Sequence, residues 1–299
     1  MSRWPQGRFD IQRRITSLNP ATDYREIYRL MSTYEFPWDM NQALSFALFR
    51  TYAVPSIGGL LARTGELVSR VQKRYDDTVI ILDAILEHGL REGEGLAALR
   101  RMNQMHRAYD ISNDDMRYVL STFVVTPIRW MDDFGWRRMT SHERIAAANY
   151  YHELGRHMGI REIPETWEEF STFLDEYERT HFGTEPGGRA VAESTVALFT
   201  TFPPNHLLPK SLVNLMSYAL MDEPLRNAFG FPAPNPVFER MVRGGLKARA
   251  RVVRLLPPRS APRWPRDMPQ VRSYPTGYAI DEIGTFPPSR PEEDAPSAN

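Results

Sequence analysis

The chain has 299 residues, 42% hydrophobic and 25% charged, with a formal net charge of zero. That is enough for one large domain with an ample core, and it supplies no global basic field to draw in nucleic acid. With no cysteine, disulfides, thiolate catalysis, iron–sulfur clusters and cysteine-ligated haem are all excluded.

Residues 1–18 are polar and aromatic and read as an arm. Met1 to Arg8 lack the apolar core of a signal peptide. The most apolar early window, 51–62, contains Pro55, Gly58 and Gly59 and falls short of the roughly 20 residues a membrane span needs. The expected location is cytoplasmic. Asn19-Pro20 reads as a helix cap with proline in the first turn, leading into a helix over 24–34. Asp39 caps the next helix, which Pro55 ends or kinks. Residues 65–89 read as one long helix, and Gly89, Gly93 and Gly95 punctuate the turn after it. A helix over 96–109 carries His106, and Asn113 caps another with Asp114 and Asp115 in its first turn, where the helix dipole favours acids.

Thr140-x-x-Glu143 and Thr166-x-x-Glu169 are capping boxes, each starting an amphipathic run, with Pro164 between them. Further helices are expected over 211–221 and 236–254. No alternating strand pattern and no repeat is present. The class is therefore all-α, with one helical domain over 19–256. From Pro257 onward, Pro258, Pro262, Pro265 and Pro269 forbid regular helix. Residues 257–299 read as a proline-rich extension, disordered after Pro287.

The stretch Arg74-Tyr75-Asp76-Asp77-Thr78 holds the most informative side chains. On a helix, Arg74, Asp77 and Thr78 are three and four residues apart and are expected on one face. A polar face beside the apolar run Val79-Ile80-Ile81-Leu82 is costly to bury without partners. With His106 opposite, this is the set an oxygen-binding haem site needs: an imidazole for the iron and a polar cluster facing the gas ligand. Other histidines do not make a metal site. His152 and His157 are five apart, roughly 140° from face to face on a helix, and His142 reads as a surface or capping residue. Glu-x-x-His occurs in the right sense at Glu178–His181 without the second copy a di-iron bundle requires.

The chain resembles the MpaB–rubber oxygenase family. The matching text is Thr51-Tyr52-Ala53-Val54-Pro55-Ser56-Ile57, Arg74-Tyr75-Asp76-Asp77-Thr78, Met102-Asn103-Gln104-Met105-His106 and Ile111-Ser112-Asn113-Asp114-Asp115. Phe134-Gly135-Trp136-Arg137, Thr140-Ser141-His142-Glu143-Arg144 and Leu154-Gly155-Arg156-His157-Met158-Gly159-Ile160 follow. The resemblance spans about residues 20 to 260 and is nearer the fungal branch, because rubber oxygenases carry lysine where Asp77 stands. It implies a globin-like helical core holding haem b, with His106 as the proximal iron ligand and O2 as co-substrate. It also implies that Arg74 positions oxygen and that Thr78 donates a hydrogen bond to it. Asp77 cannot coordinate iron as a lysine amine can. Rubber oxygenases use a glutamate upstream of the arginine as a base, and Glu66 is the nearest candidate. Fungal members carry an N-terminal membrane anchor to which nothing here corresponds.

The activity this implies is oxidative cleavage of a C=C bond in a prenyl chain or another lipophilic substrate, held in an apolar channel of Leu82, Ile85, Leu120, Phe123 and Val124. Alternatives are a haem oxidase acting on another small biosynthetic intermediate, a haem- or lipid-binding protein without turnover, and a cofactor-free helical protein. Arg101, Arg129 and Arg137 are candidates to pair with haem propionates. Residues 239–272 hold ten basic residues against Glu239 and Asp267, interleaved with apolar ones. The stretch reads as a solvated face or, alternatively, as a basic amphipathic surface for an anionic membrane.

Overall fold

The structure is a computed structural model and describes residues 7–285. Among the described residues there are fourteen α-helices and no strand, so the all-α class read from the sequence holds. In chain order the helices are α1 (Asp10–Ser17), α2 (Tyr24–Leu30), α3 (Pro37–Thr51), α4 (Pro55–Thr64), α5 (Glu66–Ser69), α6 (Val71–His88) and α7 (Gly93–Arg107). They continue as α8 (Asn113–Phe134), α9 (Ser141–His157), α10 (Trp167–His181), α11 (Pro186–Phe199), α12 (Lys210–Leu220), α13 (Glu223–Phe229) and α14 (Pro236–Leu255).

Local chemistry explains most of the boundaries. Thr140 Oγ1 accepts from Glu143 N while Glu143 Oε2 accepts from Thr140 N, which closes the expected box at the start of α9. At α10 the box is half made: Thr166 accepts from Glu169 N, but the Glu169 carboxylate accepts from Glu165 N instead. The cap of α8 is Ser112, not Asn113, and its hydroxyl accepts from Asp115 N at 3.0 Å. The single helix expected over 65–89 is two. Gly65 adopts φ +71°, which its missing Cβ permits, and Arg70 leaves helical geometry at φ −131°. Residues 10–17, expected within an arm, form α1 and bury Ile11 and Ile15 in the core.

At the centre, α3 packs on α8, which also contacts α9 and α10; α2 packs on α9, and α6 on α7. Beside this core, α4 lies against α11 at very short range. A Cβ on Gly58 would stand 2.7 Å from Gly188 Cα, so only glycine allows the approach. The walls of the site described below come from α3, α4, α6, α7, α8 and α9.

The segment after α14 has no α-helix among its described residues, yet it is fastened to the body. It runs along α6 and α7 and supplies donors to buried acids of α6. Asp76, fully buried, accepts from Arg272 N, Ser273 N and Ser273 Oγ. Asp77 accepts from the Tyr274 hydroxyl, and Asp83 accepts from Arg266 N at 2.8 Å. In return Arg101 of α7 donates to the carbonyls of Ile283 and Thr285. The expected disorder after Pro287 lies outside the described residues.

Two further acids are buried around one cation. Arg137 donates to Glu35 and, through both terminal nitrogens, to Glu143, at 2.7–3.0 Å. The two carboxylates are 1% and 0% exposed.

Burial pushes the Asp83 carboxyl up to about 7, against the smaller opposing effects of its bond from Arg266 N and the Arg266 charge. A folded-state value above the unfolded one means that the fold favours the protonated acid. Its stabilising contribution is complete below the ordinary carboxylate range and is lost as pH rises through the folded value. The Tm of the wild type relative to Asp83→Asn should therefore fall as pH is raised from about 4 to about 8. A difference that does not vary with pH would refute this.

Candidate functional site

Arg74 and Thr78 sit one turn apart on α6, on the face turned toward α7 and α8. Arg74 Nη1 donates to Thr78 Oγ1 at 3.2 Å, and that hydroxyl donates to the Arg74 carbonyl at 3.0 Å. His106, one residue from the end of α7, contributes Nδ1 to a 2.9 Å bond with the Met102 carbonyl. Because a carbonyl only accepts, the proton is on Nδ1 and Nε2 keeps its lone pair. Burial pushes the His106 imidazole down to about 4, the Arg74 charge adds to this, and the Met102 carbonyl opposes it. The ring is thus neutral at physiological pH.

All three side chains line one cavity of about 350 Å³. Its walls are otherwise mostly apolar, with Ile81 and Leu82 from α6, Met102 and Met105 from α7, and Leu120 and Phe123 from α8. Leu60 and Leu61 of α4 and Leu154 and Met158 at the end of α9 complete them. Size and lining fit a small-molecule or cofactor site with a few convergent polar groups. Behind Thr78, a void of about 60 Å³ lined by Tyr52, Tyr75 and Thr195 shares Thr78, Leu82 and Phe123 with the cavity. On the His106 side, an open depression lined by Arg107 and Arg161 shares His106, Met158 and Ile160 with it.

Of the residues singled out from the sequence, the fold brings Arg74, Thr78 and His106 together and leaves Asp77 out. Asp77 is 1% exposed and bonded to Lys73 and Tyr274, on the flank that meets the C-terminal segment. The reason is angular. Residues three and four apart both neighbour Arg74, but on opposite sides of it, so Asp77 and Thr78 diverge by about 100°. Glu66 pairs with Arg70 on the one-turn α5 and does not line the cavity. Leu82, Leu120 and Phe123 line it, whereas Ile85 and Val124 are packed in the core.

None of the three arginines considered for propionates reaches the cavity lining. Arg101 is tied to the C-terminal carbonyls, Arg129 to Ser171 and Asp175, and Arg137 to its two buried acids. The cations that do border the site are Arg63, Arg74, Arg107 and Arg161.

Several polar features of the cavity were not read from the sequence, Asp115 and Tyr151 among them. Asp115, expected only as a first-turn acid, lines the cavity and accepts from Ser56 Oγ and the Tyr177 hydroxyl, both at 2.9 Å. Tyr151 adds a ring whose hydroxyl lies 3.0 Å from that of Tyr28. The signal for Asp115 was its place in the Ser112-Asn113-Asp114-Asp115 run; nothing in the sequence distinguished Tyr151 from its neighbour Tyr150.

Comparison with known proteins adds a family. Residues 45–255 match the model described as "ER-bound oxygenase mpaB/B'/Rubber oxygenase, catalytic domain". An ER-bound oxygenase mpaB' of Penicillium brevicompactum is 30% identical over 254 residues, covering 79% of this chain and 60% of that protein. An ER-bound oxygenase mpaB of Penicillium roqueforti is 28% identical over 221 residues, 68% of this chain and 74% of its own. The chain thus spans 60% of the length of the first of these relatives.

Proposed function

Because the chain belongs to the family of mpaB and rubber oxygenase catalytic domains, we propose that it is an oxygenase that holds haem b through His106. Its co-substrate is O2 and its substrate a lipophilic alkene, such as a prenyl chain, cleaved at C=C to carbonyl products. The observation that carries this reading is the state of His106: neutral, with Nδ1 committed to the Met102 carbonyl and Nε2 left with its lone pair, in a ring lining an apolar cavity. A backbone partner on the second nitrogen is what an iron-ligating histidine ordinarily has. The donor set fits the group, which needs one imidazole and an apolar enclosure rather than a cluster of ligands.

Bound there, haem b would supply the oxygen chemistry. The chain's own residues do the rest. Arg74 keeps a permanent positive charge at a mostly apolar wall, where electrostatic interactions are stronger than in water. Its bond to Thr78 ties the two side chains together; the Thr78 proton is engaged on the Arg74 carbonyl, so it is the guanidinium, with further N–H donors, that is available to a polar group that enters. Leu82, Leu120 and Phe123 exclude water and receive the hydrocarbon part of the substrate. Asp115, fixed by two hydroxyl donors, is held as an acceptor at the cavity edge.

The relatives are named ER-bound. Among the described residues no single helix is long and apolar enough to cross a membrane. Lipid contact by this chain is proposed to be peripheral, which suits a substrate drawn from a bilayer.

The purified chain, reconstituted with haemin if needed, should show a Soret band and about one haem per chain in a pyridine haemochrome assay. It should consume O2 with a prenylated phenol and not with the saturated analogue. A chain that takes up no haem would end this reading; a haem-loaded chain inert toward every olefin would leave the haem site and remove the cleavage activity.

A further inference from the structure

Helix α14 carries six basic residues against the single acid Glu239 and has an unusual cross-section. One side faces the core: Ala250 is buried, and Leu246 and Val253 pack on the hydrophobic core. Amphipathic logic predicts a polar opposite side. Instead, Val237 (64% exposed), Met241 (64%), Val252 (59%) and Leu255 (85%) stand in solvent. At about 100° per residue these four fall within one narrow stripe, roughly opposite the buried side. Arg240, Lys247, Arg251 and Arg254 line one edge of the stripe.

These four cations make no ion pair among the described residues, in contrast to Arg243, held by Glu239, and Arg249, held by Asp39. The expectation of a membrane-facing stretch over 239–272 therefore narrows. Beyond α14, Arg259 donates to the Tyr34 carbonyl, Arg266 pairs with Glu87, and Arg272 bonds to Thr201, so those residues serve the fold.

We propose that the outer face of α14 is a docking surface for an anionic lipid bilayer. The charge is complementary to anionic headgroups, and the apolar stripe runs the length of a 20-residue helix, about 30 Å, as in helices that lie in the interface plane. Gly244 and Gly245, midway along the helix, flank the stripe with open space around them, so no pocket is formed there. A second copy of the chain would set four unpaired cations against the same four.

The test is sedimentation of the full chain with phosphatidylcholine vesicles, with or without about 30% phosphatidylserine. Two variants are compared: Met241→Ser/Val252→Ser/Leu255→Ser, and Arg240→Gln/Lys247→Gln/Arg251→Gln/Arg254→Gln. All seven positions are exposed, so unchanged circular dichroism is expected. The wild type should bind the anionic vesicles, weaken in high salt, and lose about tenfold or more in affinity in each variant. Wild type that stays in the supernatant, or variants that bind undiminished, would overturn the proposal. A wild-type dimer dissolved by the apolar variant would overturn it in favour of self-association, and binding to an acidic polypeptide without vesicle binding would do so in favour of a protein partner. None of these readouts involves the cavity or its cofactor.

Discussion

His106→Ala should give a folded protein that fails to retain haem. The ring makes one hydrogen bond, within its own helix, to the Met102 carbonyl, and the rest of it borders the cavity and the adjoining depression rather than packed side chains alone. Deleting it strands no distant partner, and the stability change should stay within about 1 kcal/mol. Haem affinity is a different matter. Loss of groups that merely support a metal ligand costs about 10–100-fold, and loss of the ligand itself should exceed that. The Soret band after gel filtration should therefore all but vanish while the far-ultraviolet spectrum is unchanged. Full haem retention by the variant would place the ligand elsewhere and remove the observation on which the proposed function rests.

Arg137→Met should be among the most destabilising single changes in the chain. It leaves Glu35 and Glu143, both essentially inaccessible to solvent, without the cation that now donates to each. Burial already pushes the Glu35 carboxyl upward, with Arg137 the main opposing influence. Removing one partner of a buried charge network costs about 3–5 kcal/mol, or on the order of 10 °C in Tm for a protein of this size. The loss should be largely recovered in Arg137→Met/Glu35→Gln/Glu143→Gln, because the cost is the stranded charge rather than a lost attraction. Because the side-chain oxygen left by Glu143→Gln can still accept from Thr140 N, the α9 cap should survive in the triple variant. A single variant melting within about 2 °C of wild type would refute the account.

Legibility followed range. Features set within one or two helical turns were readable. The Thr140–Glu143 box needs only a spacing of three, and Arg74 with Thr78 only a spacing of four. Asp77 shows the limit of that reasoning. Both spacings satisfy the neighbour rule, but only the packing of α6 between the cavity and the C-terminal segment decides which flank faces which. Helix α11 was not expected because it begins Pro186-Gly187-Gly188, a run that reads as a loop; the glycine at 188 is there to let α4 approach. The arginine candidates Arg101, Arg129 and Arg137 lie off the cavity for the same reason as Asp77. Arg101 and Arg137 meet partners 182 and 102 residues away, and no local pattern signals such a pairing.

The fastening of residues 266–274 onto α6 has a consequence for the order of events during synthesis. The helix that presents Arg74 and Thr78 emerges early, but the donors for Asp83, Asp76 and Asp77 lie 183 to 197 residues downstream. Until those residues leave the ribosome, Asp76 and Asp77 have only their partners within α6, Gln72 and Lys73, and Asp83 lacks its donor from Arg266 N. Domains are made at about 5–20 residues per second, so that side of the helix waits on the order of ten seconds or more before it can be covered. During this interval water takes the place of those donors, while the apolar side of α6 can already pack on α7. The α6 wall of the cavity is thus made well before the segment that covers its outer side.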